Sequence, residues 1–147
     1  MYTLYFHQYW EIYAALRKKD QKKISENLKY LNTQKLLRIA AQMGSCDVIN
    51  FISKIAPTDV NKFYTDFHVP VPETPIFAAC ECGGYETVQL LVKLRADVTY
   101  TNDLGECPLQ VTIEKSDWSR KTKKAILETL LNAGQTKIES RKIKPRH

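Results

Sequence analysis

The run Thr74-Pro75-Ile76-Phe77-Ala78-Ala79-Cys80 returns 33 residues later as Cys107-Pro108-Leu109-Gln110-Val111-Thr112-Ile113. Self-similarity at a fixed period of about 20–50 residues marks stacked supersecondary units, so this spacing constrains the fold more than any other feature. The first run continues through Gly83 into Thr87-Val88-Gln89-Leu90-Leu91-Val92 and then Ala96-Asp97-Val98-Thr99. The second continues into Ile126-Leu127-Glu128-Thr129-Leu130-Leu131 and Gly134. Upstream, Leu37-Arg38-Ile39-Ala40-Ala41 leads to Gly44, Val48-Ile49-Asn50-Phe51-Ile52 and Asp59-Val60-Asn61.

Each unit follows one physical pattern. Thr74 suits an N-cap, and Pro75 suits the first helical position, where its missing N–H removes no bond. Ala78 and Ala79 are small enough for close helix contact. Gly83-Gly84 supplies positive φ at the end of the first helix. A second, amphipathic helix follows, with Val88, Leu91 and Val92 on one face. A single pair of this kind cannot bury its own apolar face and requires stacking. The spacing predicts helix pairs at 35–56, 74–95 and 108–133.

These residues resemble the ankyrin repeat. Thr74-Pro75-Ile76-Phe77 stands for the family's Thr-Pro-Leu-His, and Ala96-Asp97-Val98 for its Ala-Asp-Val-Asn ending. Phe77 and Gln110 replace the family's His, which loosens hydrogen bonding at the loop base. The third unit holds Cys107 in place of Thr and has about six extra residues around Asp117 to Thr122, because Cys107 to Thr129 spans 22 residues against 16 from Thr74 to Leu90. The first unit lacks Thr-Pro, and 39 residues separate Ala40 from Ala79.

The resemblance implies an all-α ankyrin-repeat solenoid. Its parts are an N-terminal helical cap at 1–34, with a degenerate repeat there as the alternative, repeats at 35–69 with a long loop, 70–102 and 103–136 with an insertion, and a basic tail at 137–147. It also implies a non-catalytic module that binds another protein through a groove of fingers and inner helices, as an inhibitor, an adaptor or a pathogen or viral effector. Matching family positions gives the candidate partner-binding residues Phe63, Tyr64, Glu81, Cys82, Asp103, Leu104, Glu106, Glu114 and Lys115. Glu81, Asp103, Glu106 and Glu114 point to a partner with a basic patch.

Outside the repeats, Tyr2, Phe6, Tyr9 and Tyr13 fall at spacings of three and four, a stripe suited to packing on the first repeat or to docking a partner. Arg17, Lys18, Lys19, Lys22 and Lys23 read as a solvated face or as a contact for an anionic partner. Between Pro57 and Glu73, Phe63, Tyr64, Phe67 and His68 precede Val69-Pro70-Val71-Pro72, whose prolines favour extended backbone. Phe63 and Phe67 either anchor a partner or fold back over the stack. The tail after Gly134 is polar and basic, and is expected to be mobile.

The net charge of +6 is uneven: residues 1–35 carry +4, 36–115 carry −4 and 116–147 carry +6. A uniformly basic nucleic-acid footprint has no acidic middle. The alternative function is nevertheless electrostatic binding of nucleic acid or an anionic membrane surface through the two basic ends. No run of eighteen apolar residues occurs, so no transmembrane helix is expected. Met1 to Trp10 lacks the basic start of a signal peptide. The four cysteines read as reduced thiols, which places the chain in the cytoplasm, or in a host cytoplasm for an effector or viral protein. A monomer is expected.

No phosphate loop or nucleophile elbow is present in the sequence. His7, His68 and His147 are far apart. Cys80 and Cys82 would point about 200° apart on a helix, a poor arrangement for one metal ion. No enzyme activity, metal or cofactor is expected. Cys80 reads as a core residue and Cys82 as groove-facing.

Overall fold

The computed structural model describes residues 33–55, 59–66 and 69–143, together with Ala14, Lys18 and Lys22. Those three single residues are exposed. The expected N-terminal cap with its aromatic stripe lies outside the described residues, as do Phe67, His7, His68 and His147.

Helix α1 (Thr33–Met43) and helix α2 (Cys46–Ile55) form the first pair. The turn between them is a Schellman motif. Gly44 takes φ 71°, the Ser45 N–H reaches the Ala40 carbonyl at 2.9 Å, and the Gly44 N–H reaches that of Ala41 at 3.3 Å. Only glycine adopts this left-handed step without a Cβ penalty. Leu36, Leu37, Ala40 and Ala41 of α1 bury against Val48, Ile49 and Ile52 of α2.

A two-stranded antiparallel hairpin precedes the second pair. Strands β1 (Tyr64–Asp66) and β2 (Val69–Glu73) pair Tyr64 with Glu73 and Asp66 with Val69, with a register shift between. The described residues are therefore mostly helical, with this hairpin added where the sequence predicts only extended backbone. Pro70 and Pro72 are tolerated because a two-stranded ribbon leaves each strand one unpaired edge.

Helix α3 (Pro75–Ala78) runs directly into a π-helical turn, Ala79–Gly83, closed by the Gly84 N–H on the Ala79 carbonyl at 3.0 Å. Helix α4 (Tyr85–Lys93) completes the pair. It ends in a second Schellman motif, with the Ala96 N–H on Leu91 O at 2.9 Å and the Arg95 N–H on Val92 O at 3.0 Å. Here a non-glycine residue, Arg95, holds φ 71°.

Helix α5 (Pro108–Glu114) and helix α6 (Arg120–Ile143) form the third pair. Thr74 and Cys107 both occupy N-cap positions with extended backbone and a proline next, as the sequence predicts. The Thr74 hydroxyl, however, makes no cap bond and is buried without a hydrogen-bond partner. Phe77 stands where the family has His and offers it none.

Two sequence expectations are corrected. Helix α6 does not stop at Gly134 but runs on to Ile143, so the tail to that point is helical. The extra residues of the third unit form a short link after Lys115, and α6 already begins at Arg120.

The pairs pack in chain order. Helix α1 contacts α3 and the π turn, the π turn contacts α5, and α4 contacts α2 and α6. Ile76, Phe77, Ala79, Cys80, Val88, Leu91, Val111, Ile126 and Leu130 continue the core that α1 and α2 begin. At the first junction the backbones touch: a Cβ on Gly83 would overlap the Ala41 carbonyl oxygen, and one on Gly44 would crowd that of Gly83.

Candidate partner-binding surface

Asparagine and glutamine side chains fix the loops. The Gln34 amide exchanges two 2.9 Å bonds with the Asp59 backbone, donating from Nε2 to its carbonyl and accepting its N–H at Oε1. Asn61 joins the first loop to the second, donating from Nδ2 to the Arg95 carbonyl at 3.1 Å and accepting the Asp97 N–H at 2.6 Å. An amide side chain satisfies a donor and an acceptor of an extended backbone together, which suits it to this role.

Asn102 builds the finger between the second and third pairs. It is buried, and its Oδ1 accepts the N–H groups of Leu104 and Glu106, each at 3.0 Å. Its backbone N–H reaches the Glu106 carbonyl and its carbonyl accepts from Gly105, both at 2.9 Å. Gly105 takes φ 80°, which closes the tip. This turn holds Asp103 and Leu104 outward, and Leu104 is 65% exposed.

Glu106 is different. Its carboxylate accepts from Lys115 Nζ at 2.8 Å and from Asn102 Nδ2 at 3.2 Å. Those bonds, the Lys115 one foremost, hold its pKa below the usual glutamate range, and the same carboxylate raises that of Lys115. Two residues expected at the groove are thus paired with each other at the finger's base.

Glu81 and Cys82 sit on the π turn, Glu81 half-buried and Cys82 exposed. Glu81, Glu106 and Lys115 all act on the half-buried Glu73 carboxyl. Burial raises the Glu73 pKa first, Arg38 opposes this, Glu81 adds to it, Lys115 opposes and Glu106 adds. The Cys82 thiol is also raised, by burial and then by Glu81, so it is not an activated thiolate. Cys80 is fully buried, and burial pushes its thiol up to about 12 despite a bond with Thr112. Glu114, at the end of α5, is exposed and accepts from Gln110 Nε2 at 3.3 Å.

Phe63 belongs to an aromatic cluster. One face of its ring packs on Tyr100, centroids 4.3 Å apart, and Tyr100 meets Phe77 edge-on at 5.9 Å. Phe63 remains 46% exposed, so it covers the stack and still offers a surface. Tyr64 belongs to β1, and its side chain lies outside the described residues.

Sequence reasoning did not single out Glu73, Arg38 or Asn102 for these roles. Asn102-Asp103-Leu104-Gly105 did carry a legible signal, because Asn before a glycine-containing turn favours this self-capped geometry. Nothing local marks Glu73, whose environment is assembled by α1, the π turn and α5.

Residues 73–103 match the family model described as Ankyrin repeat. The match runs from the end of β2 through α3, the π turn and α4 to the finger. The ankyrin resemblance expected from Thr74-Pro75 and Ala96-Asp97-Val98 is therefore shown for the middle unit. An ankyrin repeat is a protein-interaction module. No curated protein matches the chain.

Proposed function

We propose that all three helix pairs form an ankyrin-repeat solenoid capped by the N-terminal segment. It binds a partner protein through the finger Asp103–Gly105 and the adjoining ends of the inner helices. The observation that carries this reading is the Asn102 finger: a turn held by two N–H bonds to the Asn102 side chain and two backbone bonds presents Leu104, 65% exposed, next to Asp103. A rigid turn loses little entropy on binding, and an exposed leucine beside acids gives both an anchor and a charge preference. Glu81, Asp103 and Glu114 favour a partner with a basic patch. The chain would act by masking, competing for or bridging that partner, as inhibitor, adaptor or effector. We place it in the cytoplasm, or in a host cytoplasm for an effector, on the sequence reading of its four cysteines as reduced thiols.

The test compares proteins captured from native lysate by the wild type and by Asp103→Lys/Leu104→Ala. A partner held by the first and lost by the second supports the finger. A partner held equally by both, or one whose binding collapses with moderate salt alone, moves the function elsewhere.

A further inference from the structure

Helix α6 carries two apolar stripes. Ile126 and Leu130 are buried in the core at 0% and 3% exposure. Leu127 and Leu131 each lie one residue further, about 100° round the helix, and Leu131 is 58% exposed. With Trp118 they floor an open groove of ≈ 550 Å³ rimmed by Arg120, Lys123 and Lys124, with Glu128 its only acid. A helix in a packed layer needs one apolar stripe. Among the described residues, Leu127 and Leu131 are neither in the buried core nor among the side chains packed against it.

The charges are placed against the helix's own interest. Arg120, Lys121, Lys123 and Lys124 open α6, and its first turn contains no acid. The start of a helix carries positive partial charge, so cations there are unfavourable. The neutral cap from Ser119 Oγ, which accepts the Thr122 N–H at 3.2 Å, does not offset this. Lys123 Nζ donates to the Ile113 carbonyl at 3.3 Å, while Arg120 and Lys124 are exposed at the rim. Trp118 is fixed in place by its indole bond to the Cys80 carbonyl at 2.8 Å.

We propose that this groove docks an acidic amphipathic peptide segment of a partner protein. Its leucine or aromatic side chains rest on Trp118, Leu127 and Leu131, and its carboxylates pair with Arg120 and Lys124. Charge complementarity sets the occupant, and the basic first 35 residues of the same chain, at +4, do not meet it. A purely polyanionic ligand has no use for the leucine floor. The site is separate from the acidic finger and does not rest on it. If both act, one chain joins a basic partner to an acidic one.

The probe is a fluorescein-labelled peptide with Leu and Phe at helical i, i+3, i+4, i+7 spacing and Glu or Asp between them, titrated against the full chain. Saturable binding is expected. It is weakened at least about tenfold by Leu127→Asp/Leu131→Asp and comparably by Arg120→Glu/Lys124→Glu. Circular dichroism melts verify each fold. If the aspartate pair does not fold, Leu131→Ser and the charge pair decide. No saturable binding, equal binding of a scrambled peptide, or binding indifferent to the leucine variants overturns the proposal. So does tighter binding of a single-stranded oligonucleotide or a phosphatidylserine vesicle that only the charge pair abolishes.

Discussion

The indole Nε1 of Trp118 donates a 2.8 Å hydrogen bond to the carbonyl of Cys80, 38 residues earlier. Cys80 lies in the π-helical turn, whose wider i→i+5 bonding displaces carbonyls from their ordinary helical partners. The link that sets the third unit apart from regular repeat spacing thus supplies the missing donor of the second.

Removing that donor while keeping the ring isolates the bond. Trp118→Phe is expected to cost about 1–3 kcal/mol, the range for leaving a buried acceptor unsatisfied. Urea denaturation measures it. Hydrogen exchange is expected to rise first at Gly84, whose N–H closes the π turn. An unchanged midpoint would mean that water replaces the indole.

Two glycines predict opposite outcomes for the same substitution. Gly83→Ala drives a Cβ into the Ala41 carbonyl oxygen, a backbone atom that cannot step aside. A loss of at least about 2 kcal/mol is expected, typical of strain at a close backbone contact. Gly134 lies inside α6, and a Cβ there would meet Val98 at 3.7 Å and Thr99 at 3.9 Å, ordinary contact distances. Gly134→Ala is therefore expected to stabilise by roughly 0.5–1 kcal/mol, the helical preference for alanine. Thermal melts of the two variants should shift in opposite directions.

These glycines also show where the sequence could be read. Gly44 and Gly84 follow the rule that a helix end needs positive φ, with 71° and 100°. Gly83 does not have positive φ; closeness to α1 demands it, and only the packed structure reveals that. Gly134 resembles the other helix-ending glycines in sequence, yet α6 runs through it to Ile143, with Val98 and Thr99 at contact distance from where its Cβ would stand. The pairs predicted at 35–56 and 74–95 lie close to α1 with α2 and to α3 with α4, because repeated apolar spacing and repeated turns specify them together. Asp103 and Leu104 were legible as finger residues. The Glu106–Lys115 pair was not, since a salt bridge joins residues from two elements and leaves no mark in either.

Glu73 gives a pH prediction. Its folded pKa is raised above the ordinary 4.5, mainly by burial. Its contribution is therefore favourable when protonated, fully present below 4.5, and lost as pH rises through the folded value. Glu73→Gln mimics the protonated side chain. The variant should melt above the wild type at neutral pH, and the difference should close as pH falls below 4.5. Melts across pH 3–8, a range spanning ordinary carboxylate titration, measure the difference. A gap that persists in acid would assign the effect to packing rather than charge.

The residues of the finger divide into exposed and bonded ones. Asp103 and Leu104 project from the turn, whereas Glu106 bonds to both Asn102 and Lys115. Asp103→Lys/Leu104→Ala should leave the melting temperature nearly unchanged, since exposed substitutions away from packed features stay within about 0.5 kcal/mol. It should weaken a groove-bound partner between a few-fold and a hundredfold. Glu106→Lys places a like charge against Lys115 and removes the Asn102 bond. A stability loss of about 1–2 kcal/mol is expected, because hydrogen bonds to charged groups contribute about 1.5–3 kcal/mol and the exposed lysine partner contributes less. That loss should be largest at neutral pH and shrink in acid, where wild-type Glu106, whose pKa is lowered, becomes protonated and loses its own contribution. Binding titrations and melts on the two variants give a crossed result if the assignment holds: affinity falls with stability intact in one, and stability falls in the other. Loss of stability in the first variant would place Leu104 among the residues that hold the finger together, and the binding surface would then lie nearer Phe63.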